Sequence, residues 1–205
     1  RMKLYYFPGS CALAPHIVLN WVGADFEAIR IEKGDPEYRK VNPLGVVPAI
    51  EYEGRIYTQA DAILHWLAEM FPNHQLGGAG TPDSNYELNN WMAFLTGDFH
   101  PAFFPFFNTQ RYTVEVDEDA LAAVREAAEA RVGSYVDFFE AHMENRDFIA
   151  GETRSIADAY AVPMLRWVRL LNKKLDQYPA LDAYLARMQD DPAVEAALAE
   201  QGLKK

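Results

Sequence analysis

Apolar and polar residues first alternate along this chain and then settle into helical spacing. Residues 3–7 are a short aromatic run that Pro8-Gly9, a turn dipeptide, brings to a stop, which predicts a strand. Over 12–22 the apolar side chains fall at Leu13, Ile17, Val18 and Trp21, the spacing of an amphipathic helix, and Gly23 stands where a helix C-terminal glycine is expected. Residues 26–31 alternate again and predict a second strand, so the opening is a βαβ unit with a parallel pair and a right-handed crossover. Two further strands, 47–52 and 55–58, flank Glu53-Gly54 and read as a hairpin. A helix over 61–70 follows, with Ile63, Leu64, Trp66, Leu67 and Met70 on its apolar side, and Pro72 ends it.

The order βαβ then ββα is that of a thioredoxin-like α/β domain, here residues 2–76. Three Gly and one Pro crowd into 76–84, which makes 77–84 the linker. Everything from 85 to 205 is helical in pattern, an all-α bundle. It is expected to open with one long helix over 85–107, bent or interrupted by Pro101 and Pro105, then an Ala- and Glu-rich helix over 119–145. A third helix starts at Ser155, and shorter ones follow Pro179 and Pro192.

Half of the 205 residues are hydrophobic and no run approaches the ~18 apolar residues of a membrane span. A net charge of −11 argues against attraction to nucleic acid or anionic membrane. The single cysteine, Cys11, excludes an intrachain disulfide and a thiolate metal cluster, and fits a reducing, cytoplasmic setting. No metal site is expected.

Cys11 falls where a strand turns into a helix. A helix N-terminus stabilises a thiolate, so this thiol is expected to be poised for thiolate or disulfide chemistry; the plainer reading is a small buried hydrophobe. Pro48 opens a strand, either as an ordinary trans proline or as a cis one that turns the Val47 backbone groups outward for a peptide-like ligand. Ser155 and Asp158 form an Asp variant of a capping box and are read as structural. Phe103, Phe104, Phe107 and Tyr112 follow His100. Such rings are usually core, but the prolines among them would turn some toward a cleft suited to flat apolar electrophiles.

Four stretches together carry a family resemblance: Y-Y-F-P-G-S-C-A-L-A-P-H, N-P-L-G-V-V-P-A over 42–49, Q-A-D-A-I-L-H-W-L-A over 59–68, and G-x-x-x-S-I-A-D-A-Y over 151–160. The chain resembles the glutathione transferases over nearly its whole length. The Cys after P-G-S, with His100, is most similar to the bacterial beta class.

The resemblance implies the cytosolic glutathione transferase fold, glutathione as co-substrate, a homodimer, and detoxifying conjugation or thiol exchange with hydrophobic electrophiles or disulfides. It implies catalytic roles for Cys11, Tyr6 and His100. Glutathione would be held by Lys33, Val47, Pro48, Gln59, Ala60 and Asp61, with Phe103, Phe104, Phe107 and Tyr112 around the second substrate. Three residues depart from the family pattern: Ala60 stands where a Ser is usual, Asp61 adds negative charge at the same spot, and Ala93 stands where beta-class members often carry Asn. Asp61 either favours its helix N-terminus or partners the glutathione amine. The alternative function is a binding or interaction protein of the same fold with little turnover.

Overall fold

The computed structural model describes residues 1–205. Four strands, β1 (Met2–Tyr6), β2 (Phe26–Arg30), β3 (Ala49–Tyr52) and β4 (Arg55–Thr58), form one mixed sheet in the order β2-β1-β3-β4. β1 runs parallel to β2 with Leu4 opposite Ala28, and antiparallel to β3 with Leu4 opposite Ile50. β3 begins at Ala49, two residues later than the hydrophobic pattern implies. Pro48 has no N–H to give a ladder, so pairing starts only after it.

Helix α1 (Leu13–Trp21) is buried on every side except at Asn20, rather than along one stripe. It packs against α2 (Ala60–Met70) and, on its other flanks, against α7 (Ile156–Val168) and α9 (Pro192–Glu200). Its two polar side chains are satisfied from that side: the Asn20 amide donates to Ala193 O at 3.1 Å, and His16 is bonded near the chain's end. The buried apolar residues accordingly form one continuous core from Met2 in the sheet to Leu198 in α9.

The helical half departs from expectation at two places. Helix α3 spans Pro82–Ala93, starting inside the Gly- and Pro-rich stretch. Thr81 caps it through a reciprocal pair with Ser84, and Pro82 occupies the first turn, where a missing N–H costs nothing. The single long helix over 85–107 is not formed. A π-helical segment, Phe94–Phe99, leads into two short pieces, α4 (His100–Ala102) and α5 (Phe104–Phe107). Pro101 and Pro105 remove two N–H donors in succession, and the backbone re-registers around them.

Helix α6 (Glu118–Met143) is capped by Asp117, and α8 (Pro179–Asp190) precedes α9. No helix is long and apolar enough to cross a membrane.

Candidate functional site

The turn after β1 is built by Gly9, whose φ of +76° suits glycine, and by Ser10, whose N–H donates to Phe7 O at 3.1 Å. The far end of the chain holds it. Trp167 Nε1 donates to Gly9 O at 2.8 Å, and Gly9 N–H donates to Gln201 Oε1 at 3.1 Å. The Gln201 amide in turn donates to His16 Nδ1 at 3.0 Å, leaving Nε2–H to bond Glu200 at 2.8 Å. Burial pulls the His16 pKa below its usual value, with Glu200 partly opposing. Sequence reasoning missed all four supports; Gly9 is 158 residues from Trp167 and 192 from Gln201, so no local pattern announces them.

Cys11 is half-buried, and its sulfur lies 3.5 Å from Val47 O, to which the thiol donates. Burial pushes that thiol up to about 12, offset only in part by a backbone hydrogen bond. Burial therefore works against the expected thiolate and favours the protonated thiol. The cause is burial of the sulfur: Cys11's own N–H is the backbone donor that helps it, while the N–H groups of Ala12, Leu13 and Ala14 are taken by Ser10 Oγ, Ser10 O and Cys11 O.

Beside it, the 42–48 segment is fixed by Tyr38 and Asn42, which both donate to Val46 O at 2.8 Å. Gly45 turns the segment with a φ of +69°, a conformation that suits glycine. The Val47–Pro48 bond is cis. Val47 N–H meets no protein acceptor, but its carbonyl, expected to be free, takes the Cys11 thiol.

At the start of α2, Gln59 is exposed with φ +74°, a left-handed conformation that a residue with a Cβ adopts at a cost of about 1–3 kcal/mol. Its side chain makes no cap, and the N–H groups of Ala60, Asp61 and Ala62 have no protein acceptor. The contrast with the helical half is sharp, where Thr81, Asp117, Ser155, Glu140 and Asp191 accept from the first turns of α3, α6, α7, α8 and α9. Asp61 Oδ1 is buried without a hydrogen bond; His65 Nε2 comes within 3.3 Å but is not aligned for one. Lys33 is exposed in the loop after β2, with no ion-pair partner.

His100 follows the π-helical segment and packs against Tyr160 and Trp167 of α7 and against Phe104. Its Nδ1 lies 2.5 Å from the Tyr160 hydroxyl. Desolvation takes the imidazole down to about 4, so it is neutral at pH 7. Burial also holds the Tyr160 phenol well above its ordinary value, and Cys11 and Asp61 both add to that rise, which places Tyr160 among the predicted site residues although it was not one of them. Tyr6 is buried on the face of β1 shared with Met2 and Leu4, its ring 6.0 Å from that of His16. Its hydroxyl has no protein partner yet is not sealed from solvent. Tyr5 takes the other face, against Tyr38.

The aromatic cluster divides. Phe103 is fully buried against Phe99, Phe107 and Trp167, so it belongs to the core and not to a pocket wall. Phe104, Phe107 and Tyr112 are 39%, 40% and 50% exposed. Phe104 and Phe107 stand next to His100 and Trp167, whereas Tyr112 meets none of these rings. Ala93 is exposed at the end of α3.

Ser155 and Asp158 make the capping box of α7: Ala157 N–H donates to Ser155 Oγ, and Ser155 N–H to Asp158 Oδ2 at 2.8 Å. Asp158 Oδ1 also accepts from Ile149 N–H at 3.1 Å and from Tyr184 at 2.5 Å. A cleft between 78–88 and 150–155 shares only Ser155 with the predicted residues, and its polar atoms are committed to the cap. No three His, Cys, Asp or Glu side chains are grouped to hold a metal.

The sequence model of the glutathione S-transferase N-terminal domain matches residues 9–70, and that of the glutathione S-transferase C-terminal domain matches 94–192. Glutathione S-transferase GST-4.5 of Xanthomonas campestris pv. campestris is 39% identical over 98% of this chain and 100% of that protein. A bacterial beta class glutathione S-transferase from Sphingomonas chungbukensis superposes with a TM-score of 0.86 at 33% identity, covering 98% of this chain and 100% of that one. A sphingomonad glutathione S-transferase complexed with glutathione gives 0.85 at 34% identity over the same shares.

Proposed function

The chain belongs to the glutathione S-transferase family and is a glutathione transferase, and from that premise we propose how its own residues hold and activate the tripeptide. The observation that carries this reading is the bare start of α2 beside the free Val47 N–H. Three unpaired N–H groups and the helix dipole form an anion site for the γ-glutamyl carboxylate. The orphaned Asp61 oxygen takes the ligand amine. Val47 binds the central peptide as an added strand, with Pro48 setting its direction, and Gln59 borders the γ-glutamyl end. Lys33 is left to meet the glycyl carboxylate.

This arrangement delivers the ligand sulfur to Tyr6, Cys11 and His100. The Tyr6 hydroxyl, without a protein partner, donates to the forming thiolate and so lowers the thiol's pKa. The neutral Cys11 thiol either donates a second hydrogen bond or, with oxidised glutathione, exchanges. In that exchange it loses its proton, forms a mixed disulfide and releases one glutathione as the thiol. Phe104 and Phe107 offer apolar surface to a flat electrophile next to His100, and Tyr112 extends that exposed face. The protein works as a homodimer, with α3 at the interface, a helix that exposes Tyr86 by 70%.

Calorimetry with glutathione, paired with turnover of an activated aryl halide, tests the reading. Binding with turnover is expected, and binding without turnover instead supports a binding protein of this fold, to which the missing hydroxyl at Ala60 lends weight. Neither binding nor turnover refutes both.

A further inference from the structure

The Tyr160 hydroxyl is buried on α7 with one hydrogen-bond partner, His100 Nδ1. That contact has two possible senses. If Nδ1 carried the proton, the phenol would accept, and its own O–H would be left without an acceptor in a buried place, a cost of about 1–3 kcal/mol. If the phenol donates, every buried group is satisfied and the imidazole proton must sit on Nε2. Nε2 has no protein partner and is not sealed from solvent, so its N–H is offered outward. The rings around His100, from Tyr160, Trp167 and Phe104, carry no charge, and the ionisable groups that act on Tyr160 are Cys11 and Asp61.

We propose that Tyr160 is a positioning residue that fixes His100 as the neutral Nε2–H tautomer, making it a hydrogen-bond donor to the glutathione sulfur instead of a base. The proposal rests on the reading that the sulfur is bound between Tyr6, Cys11 and His100. It changes what His100 does there. A lone pair on Nε2 would repel a thiolate, whereas an N–H stabilises it without adding a full charge. Desolvation by burial keeps the imidazole neutral at pH 7, so the donor is the uncharged ring.

Long-range proton–nitrogen correlation spectra of the ligand-free protein at pH 7 read the tautomer directly. The expected result is His100 with Nδ1 unprotonated and shifted by an accepted hydrogen bond, and Nε2 protonated. In Tyr160→Phe that Nδ1 shift should disappear and the imidazole should titrate at higher pH, while kcat falls about tenfold and KM for glutathione changes less than twofold. A native imidazole protonated on Nδ1 overturns the proposal, and so does a Tyr160→Phe enzyme with unchanged kcat. The native spectrum decides even if the variant does not fold. Because it needs no ligand, a protein that fails to bind glutathione would sink the functional reading without disturbing the tautomer result.

Discussion

Asp158→Asn probes the one fully buried carboxylate in the molecule. It keeps the shape of the side chain but turns one acceptor oxygen into an NH2 group. The side chain does best to leave its oxygen where Ile149 N–H and Tyr184 donate, which sets the new amide against Ser155 N–H, 2.8 Å away. One buried donor is then unmade, at about 1–3 kcal/mol, so a loss of about 2 kcal/mol is expected at pH 7. The pH dependence is sharper still. Desolvation raises the Asp158 pKa from 3.8 to about 6 despite its hydrogen bonds. A raised folded-state pKa means stability that is fully present below the unfolded value and lost as pH climbs through the folded one. At 1.36 kcal/mol per pH unit the full effect is about 3 kcal/mol below pH 3, and about 2.4 kcal/mol of it is present at pH 4 relative to pH 7. The wild-type advantage over Asp158→Asn should therefore grow from about 2 kcal/mol at pH 7 to about 4 at pH 4. The acid sensitivity of His16 and His100 is common to both proteins and cancels. Urea unfolding at several pH values, extrapolated to water, measures the difference. A difference that stays flat, or grows toward neutral pH, refutes this account of the buried carboxylate.

Ala60→Ser adds a hydroxyl to the bare start of α2 and should tighten glutathione about tenfold, or ~1.4 kcal/mol, by calorimetry. In the same assay Asp61→Asn should weaken binding if the carboxylate grips the amine. With the Cys11 thiol pushed up to about 12, alkylation by a neutral haloacetamide should accelerate with every pH unit from 7 to 9 and show no plateau. Oxidised glutathione should add one glutathione mass to the native protein and none to Cys11→Ala. Light scattering should return about twice the chain mass of 23.2 kDa, and the single mass would exclude the dimer.

Hydrophobic periodicity made the sheet and most helices legible because strands β1–β4 and helices α6–α9 bury side chains that repeat at their own period. It misplaced α3 because Pro82 was read as a breaker when, behind a Thr cap, it is a helix opener. The interruption around Pro101 and Pro105 is the one their missing N–H groups imply, whereas the π-helical stretch before them, Phe94–Phe99, has no local signal. Cys11 lies where β1 turns into α1, as the pattern implied, but the burial of its sulfur, which no local pattern shows, pushes the thiol up to about 12. Phe103 and Phe104 are neighbours of the same type, and only packing against Trp167 buries one and exposes the other. Tyr160 stood in view inside a recognised motif, and nothing short of the folded contact with His100 gives it a task.

The turn bearing Cys11 is spelled out by residues 8–12, yet two of its anchors, Trp167 and Gln201, lie 158 and 192 residues after Gly9. During synthesis the thiol must wait, attached to an unfinished scaffold, until residues near 200 have left the ribosome and docked on Gly9. A chain that stalls before that point carries the cysteine without the frame that aims it. The framing of Cys11 thus rests on contacts that span 158 and 192 residues of sequence, and a truncation that removes Trp167 and Gln201 is expected to leave the cysteine in place but unaimed.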